Sequence, residues 1–218
     1  METTGIILSA GIGQRMGEPT RDRPKGMLEI DGRPLLDYGI RFLQAVGVSR
    51  VVIVSGHAAD KVAAFAAHFD AGVQVVKNPE YMKGNLFSVL TALRVVPGSF
   101  LLANADHVYS LTIAARIREQ AQGITAYCDQ DRTLTDDDMK VRLGPDGMLL
   151  GISKTLQDCD RGYVGLTFVD AASRQAYDAA AARVVERLGD KAVAEQVLQE
   201  LAAAGVPVRI GDISGHGW

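Results

Sequence analysis

The stretch "GIILSAGIGQRMGEPTRDRPKGML", Gly5 to Leu28, decides how the rest of the chain is read. Ile6 to Leu8 form a short apolar, β-rich run, and glycine, arginine, lysine and proline then replace nearly every core-forming residue. Three phosphate-binding schemes compete for such a loop. A P-loop needs GxxxxGK followed by Ser or Thr, and that string is absent. A dinucleotide fingerprint needs GxGxxG, but after Gly11 and Gly13 the third position holds Met16, and the next strand begins only at Val51, too late to supply a ribose-binding acid. What remains is an open glycine loop whose backbone N–H groups wrap a polyphosphate, with fixed cations that neutralise charge as a bond at phosphorus breaks. Arg15 then serves the outer phosphates and Lys25 the α-phosphate, while Ser9, Ala10 and Gly11 are small enough for a base and ribose to approach the main chain. The competing reading is a solvated turn with incidental charges.

Working outward from this loop, short β-rich runs alternate with longer helical patterns. A helix is expected over Pro34 to Val46, a strand over Val51 to Val54, a helix over Ala58 to Phe69 and a strand over Val73 to Val76. Asn85 to Val95 reads as a helix with Leu86, Val89, Leu90 and Leu93 on one face, Phe100 to Leu102 as a buried strand, and Ser110 as the N-cap of the next helix. This order predicts an α/β fold with a mostly parallel sheet, helices on both faces, and a binding crevice at the carboxyl ends of the strands. After Asp129 the segments shorten: Lys140 to Leu143, a turn at Pro145 to Gly147, Met148 to Ile152 and Tyr163 to Val169. They predict a hairpin-bearing insertion over the sheet's edge, spanning roughly residues 130–169. Ala171 to Ala204 is helical with a break at Gly189-Asp190, and Val208 to Ile213 is a last strand. Without repeats or a linker, a single domain over 1–218 is expected.

Composition narrows the partners. Of 218 residues 47% are apolar, enough for one sizeable core. A net charge of -3 and a pI near 5.8 argue against coating nucleic acid or an anionic membrane, so any anion site is local. Cys128 and Cys159 form no CxxC and no zinc spacing, which favours two reduced thiols in a cytoplasmic protein. No apolar run reaches the ~18 residues of a membrane span, and no signal-peptide pattern precedes the first strand, so neither membrane insertion nor export is expected. The expected state is a monomer or homodimer.

The loop "ILSAGIGQRM", followed by "RPKGML" and "DGRPLLDY", resembles the signature of nucleotidyltransferases of the sugar-nucleotide pyrophosphorylase type, and the likeness extends over nearly the whole chain. It implies a Rossmann-like sheet. Most members carry Ala or Pro after the lysine, where this sequence has Gly26. "NPEYMKGNLFSVLTA" at Asn78 to Ala92 and "ADHVYS" at Ala105 to Ser110 resemble cytidylyltransferases acting on small alcohol phosphates, especially inositol-1-phosphate, with choline-phosphate and phosphonate relatives nearby. "DDDMKV" at Asp136 to Val141 and "ISKTL" at Ile152 to Leu156 point the same way. The implied partners are CTP and a small phosphorylated acceptor. The implied nucleotide contacts are Leu8, Ser9, Ala10, Gly11, Gly13, Gly56, Asn78, Gly84, Asn85 and Ser88.

The remaining chemical residues follow from their positions. Asp106 ends a buried strand where the crevice opens, the place where Mg²⁺ needs carboxylate oxygen to hold the α-phosphate and the acceptor together. His107 suits shaping or hydrogen bonding, since magnesium prefers oxygen. Lys140 and Lys154 lie in the insertion expected above the crevice and are candidates for the acceptor's phosphate, a role the resemblance supports for Lys154; their plain alternative is solvated surface lysine. Asp136, Asp137 and Asp138 are either a solvated loop or contacts to acceptor hydroxyls or ammonium. Asn85 and Ser88 suit a base or ribose edge, or a helix cap. Ser55, Gly56 and His57 face the same crevice.

The expected chemistry is direct in-line attack of an acceptor phosphate oxygen on the α-phosphorus of CTP, with pyrophosphate leaving. The nucleophile is already ionised, so positioning and charge neutralisation replace a general base. The catalytic set is Arg15, Lys25 and Asp106; His107, Lys140 and Lys154 bind the acceptor. Rivals are a sugar-1-phosphate transferase using UTP or dTTP, a transferase of molybdenum-cofactor assembly, and a nucleotide-binding regulator without turnover. In the resembled family the segment matching "GDISGHGW" runs on into an Asp-rich stretch that completes the magnesium site. Either the natural chain continues past Trp218 to a second metal carboxylate, which is the favoured expectation, or Asp106 alone holds the metal with phosphate oxygens and water.

Overall fold

The computed structural model describes residues 2–11, 24–69 and 72–218. Strand β1 (Thr3–Ser9) lies inside the main sheet, parallel to β4 (Arg50–Ser55) on one side and β6 (Ser99–Asn104) on the other, and β5 (Val73–Lys77) extends the β4 edge in parallel. The near-continuous apolar content of β1, β4 and β6 reflects burial on both faces, whereas β5 at the edge is only half-buried or exposed. Side chains alternate: Ile6, Val52, Val54 and Leu102 join one core, Ile7, Val51, Ile53 and Leu101 the other. The first core is covered by α3 (Leu86–Leu93), α5 (Arg174–Leu188) and α6 (Glu195–Ala203). The second is covered by α1 (Leu35–Val46), α2 (Ala59–Ala66) and α4 (Leu111–Gln120).

Element ends have local causes. Helix α1 stops where Gly47 turns left-handed at φ 90°, its N–H bonding to Gln44 O at 2.9 Å. Helix α2 starts after Ala58, itself left-handed at φ 48°, and is shorter than the periodicity suggested. Ser110 caps α4 as expected, its Oγ accepting from Thr112 N–H at 3.3 Å. A small exposed hairpin, β2 (Glu29–Ile30) with β3 (Arg33–Pro34), precedes α1.

The second half departs from expectation in one respect. Strand β10 (Arg161–Val169) is not part of an edge insertion: it runs antiparallel between β6 and β7 (Ile124–Asp129) inside the main sheet, and β11 (Val208–Asp212) pairs parallel to β7 at the far edge. Only the hairpin of β8 (Lys140–Leu143) and β9 (Leu149–Ser153) projects from it, through β8 paired to Arg161 and Gly162. Pairing of β10 with β7 shifts between Tyr163 and Thr167, where Gly165 adopts φ 77°. A Cβ there would lie 2.7 Å from Asn104 Nδ2, so this glycine lets β10 approach the open end of β6.

Candidate active site

The carboxyl ends of β1 and β6, the start of α3, residues on either side of the β8–β9 hairpin and Trp218 border a cleft of about 950 Å³. Leu8, Ser9, Ala10 and Gly11 form its wall at the end of β1, and Lys25, in a single 3-10 turn over Lys25–Met27, returns the chain to it. Gly26 is buried in that turn; a Cβ would meet Ser9 Oγ at 2.6 Å and Leu36 Cγ at 2.8 Å. Glycine at this point is thus a packing requirement of a turn pressed onto β1 and α1. Gly13 and Arg15 lie outside the described residues.

Asp106 stands beyond β6, and its carboxylate is gripped on both oxygens: Lys25 Nζ donates to Oδ2, and His107 Nδ1 lies 3.1 Å from Oδ1. Burial alone would raise the Asp106 carboxyl, but hydrogen bonds and charge from His107 and Lys25 outweigh it and hold the group far below the usual carboxylate range. Asp106 is therefore a charged oxygen donor at neutral pH. His107 is itself fixed by stacking, its ring centroid 5.9 Å from that of Tyr109 and 5.0 Å from that of Trp218. Trp218 Nε1 donates to Asp129 Oδ2 at 2.7 Å, and the Arg132 guanidinium carbon lies 4.6 Å from the indole centroid. Arg132 continues to Asp138, which also accepts from the Thr135 N–H at 2.7 Å. Tyr109, His107, Trp218 and Arg132 thus form one stack, of which the last three line the cleft, joining residues that the sequence keeps far apart.

Several expected contacts have other work. Asn78 is 1% exposed and does not line this cleft; its Nδ2 donates to Ser88 Oγ at 3.0 Å and its Oδ1 accepts from Glu80 N–H at 2.8 Å, a buried brace. Gly84 packs against Ala192, whose carbonyl oxygen would sit 1.9 Å from an added Cβ. Gly56 lies beneath Tyr81, where a Cβ would come within 2.3 Å of the Tyr81 Cβ. Lys140, 9% exposed, donates from Nζ to the Lys154 backbone oxygen at 3.0 Å, so it braces the loop instead of reaching the cleft. Asn85 and Ser88 do line the cleft, yet Asn85 Oδ1 accepts from Ala194 N–H at 2.8 Å and does not cap α3. Lys154 faces the cleft, paired with Asp137.

Arg132, Tyr81, Tyr163, Glu195 and Trp218 line the cleft without having been assigned a role from the sequence. Glu195 carried no signal, lying in an Ala-rich helical stretch; Trp218, the chain's single tryptophan, carried a weak one.

Residues 5–135 match the model of the MobA-like NTP transferase domain. The chain belongs to this family. Among curated relatives, a bifunctional IPC transferase and DIPP synthase of Rubrobacter xylanophilus is 38% identical over 105 residues, 48% of this chain and 24% of that protein. A CMP-5'-(3-aminopropyl)phosphonate synthase of Streptomyces rubellomurinus is 32% identical over 148 residues, 60% of this chain and 24% of that protein. The match thus spans about a quarter of these relatives' length. In fold, this NTP transferase domain superimposes on the inositol-1-phosphate CTP transferase from T. maritima with a TM-score of 0.83 at 20% identity, covering 98% of this chain and 86% of the other.

Proposed function

We propose that the chain transfers CMP from CTP to a small phosphorylated alcohol or a phosphonate, releasing pyrophosphate. The observation that carries this reading is the Lys25–Asp106 pair, set where β1 and β6 open and directly after the cationic loop. It brings a cation for the α-phosphate and an oxygen donor for a metal to one point. The relatives' cytidylyl chemistry agrees with it.

The residues fit Mg²⁺ in a modest way. Among the described residues no group of three or more His, Cys, Asp or Glu side chains forms a metal cage. Mg²⁺ commonly takes one or two carboxylates and completes its shell with phosphate oxygens and water. Asp106 would supply the carboxylate. When bound, the ion would neutralise charge on the phosphates.

This chain's own residues do the rest. Ser9 to Gly11 leave room for the nucleoside at the main chain, and Lys25 neutralises charge on the α-phosphoryl group. His107 keeps Asp106 oriented. Lys154, which follows β9 directly and lines the same cleft, receives the acceptor's phosphorus group. The acceptor oxygen attacks phosphorus in line as pyrophosphate departs, and the approach geometry supplies much of the acceleration.

The test is pyrophosphate release from CTP, UTP, ATP and GTP with inositol phosphate, choline phosphate, a phosphonate and a hexose 1-phosphate. CTP with one of the first three is the expected productive pair. Preference for UTP, or for the hexose phosphate, would overturn the reading in favour of a sugar-nucleotide transferase; nucleotide binding without turnover would favour a regulator. Lys154→Ala is expected to raise the acceptor KM more than the CTP KM.

A further inference from the structure

His107 holds Asp106 by a single hydrogen bond, Nδ1 lying 3.1 Å from Oδ1. One such bond does not fix an imidazole, because the last side-chain torsion of histidine is broad and roughly two-fold. Two aromatic rings supply the constraint. Tyr109 stacks on His107 at an interplanar angle of 7° and is itself buried, its hydroxyl donating to Val164 O on β10 at 2.9 Å. Trp218 stacks at 28°, and its centroid is the nearer of the two, 5.0 Å against 5.9 Å. The imidazole thus packs on one ring that belongs to the core and on another that lines the cleft.

The indole is 37% exposed, yet it is held from several sides. Its Nε1 donates to Asp129 Oδ2 at 2.7 Å, and Asp129 is 2% exposed at the end of β7. The Arg132 guanidinium carbon stands 4.6 Å from its centroid. The backbone leading to it is fastened as well: Gln130 N–H donates to Ser214 Oγ at 3.2 Å, Gly215 N–H to Asp131 Oδ2 at 2.6 Å, and Ser110 N–H to Gly217 O at 3.3 Å. These bonds tie residues 214–218 to the loop after β7 and to the start of α4. Together they fix an aromatic face that a half-exposed side chain would not keep by packing alone, and they set it against the imidazole that holds Asp106.

Resting on the cytidylyl-transfer reading for its catalytic consequence, we propose that Trp218 is a positioning residue: with Tyr109 its indole confines the His107 imidazole, which keeps the Asp106 carboxylate aimed into the cleft. The arrangement is complete before any ligand arrives, so no reorganisation of these groups is left to the reacting step. Loss of the indole lets His107 turn and leaves Asp106 held through Lys25 on Oδ2. A misplacement of ~1 Å can slow a reaction by as much as about 10²-fold.

The experiment combines NMR of the intact chain with a double-mutant cycle. In wild type, nuclear Overhauser contacts are expected between the indole of Trp218, the chain's single tryptophan, and the His107 ring, and their absence overturns the proposal. In Trp218→Leu the His107 ring resonances should leave their stacked position, whereas Trp218→Phe, which keeps an aromatic face, should hold them; unchanged resonances in Trp218→Leu overturn it. In steady-state transfer Trp218→Leu should lower kcat about tenfold with the CTP and acceptor KM within about twofold, and Trp218→Phe should restore most of the rate. In a His107→Ala background Trp218→Leu should slow transfer no further, as for two residues acting through one path. Equal slowing in both backgrounds, a KM increase that persists without His107, or a Trp218→Phe variant as slow as Trp218→Leu overturns the proposal, since the indole would then act on the ligand or the fold directly. If Trp218→Leu folds poorly, the wild-type contacts and Trp218→Phe decide. Absence of transfer by wild type with every acceptor would remove the cytidylyl reading, with the ring contacts still deciding the placement.

Discussion

Gly84→Ala separates packing from nucleotide contact at a residue where sequence resemblance implied the latter. An added Cβ would stand 1.9 Å from the Ala192 carbonyl oxygen, where ordinary contact begins near 3.4 Å, so the two backbones must part by about 1.5 Å. Neither is the free end of a side chain. Parting them strains the Gly84 N–H bond to Asp190 O at 2.7 Å and the Leu86 N–H bond to Ala192 O at 3.3 Å. Overpacking costs about 1–3 kcal/mol, and each weakened hydrogen bond adds up to about 1 kcal/mol. The expected loss is therefore ~2–4 kcal/mol, a fall in Tm of roughly 4–16 °C for a chain of this size. Urea unfolding by circular dichroism measures the loss, with CTP titration below the transition as a control. Unfolding free energy within about 0.5 kcal/mol of wild type, with CTP affinity reduced, would refute the packing argument and restore the nucleotide-contact role.

Three further outcomes are expected. Lys25→Ala should slow transfer by ~10²-fold in steady-state kinetics while circular dichroism stays native, and a wild-type rate would remove it from the catalytic set. Asn78→Ala leaves the Glu80 N–H without its acceptor and Ser88 without its donor, so denaturant unfolding should show a loss of about 2 kcal/mol; a neutral result would mean that the brace is immaterial. Burial would raise the Asp138 carboxyl, but the Thr135 backbone N–H, Arg132 and the Thr135 hydroxyl outweigh it and lower the pKa to about 2. Its stabilisation is complete above the ordinary value of 3.8 and is lost as pH falls through about 2. The stability gap between wild type and Asp138→Asn should thus be widest at neutral pH and close between pH ~4 and ~2, as pH-dependent unfolding would show; a gap that widens in acid would contradict the pairing.

How much was legible differs between the halves of the chain. The first strand, the glycine-rich cationic loop and the alternation of β and helical runs follow from local pattern, because hydrophobic period and turn chemistry are written into neighbouring residues. Lys25 and Asp106, 81 positions apart, were recognisable singly because each ends or follows a strand that pattern reveals. Strand β10 misled for the same reason: a β-rich segment shows that it is a strand, but not which strands it enters between.

The remainder of the site depends on contacts that no local window contains. Asn78, Gly56, Gly84 and Lys140 have residue types suited to binding, and their side chains or missing side chains are used up in buried braces and close backbone approaches. Conversely, Glu195 and Trp218 enter the cleft because α6 docks on β9 and the Trp218 indole lies across Asp129 and His107. Sequence by itself determined the residue types on offer, a glycine-rich cationic loop and a strand-end carboxylate, since both depend on residue type at short range. Tertiary structure alone decided which polar groups stay free to meet a ligand, because a hydrogen-bonding group spent on a distant partner looks the same in sequence as one left open.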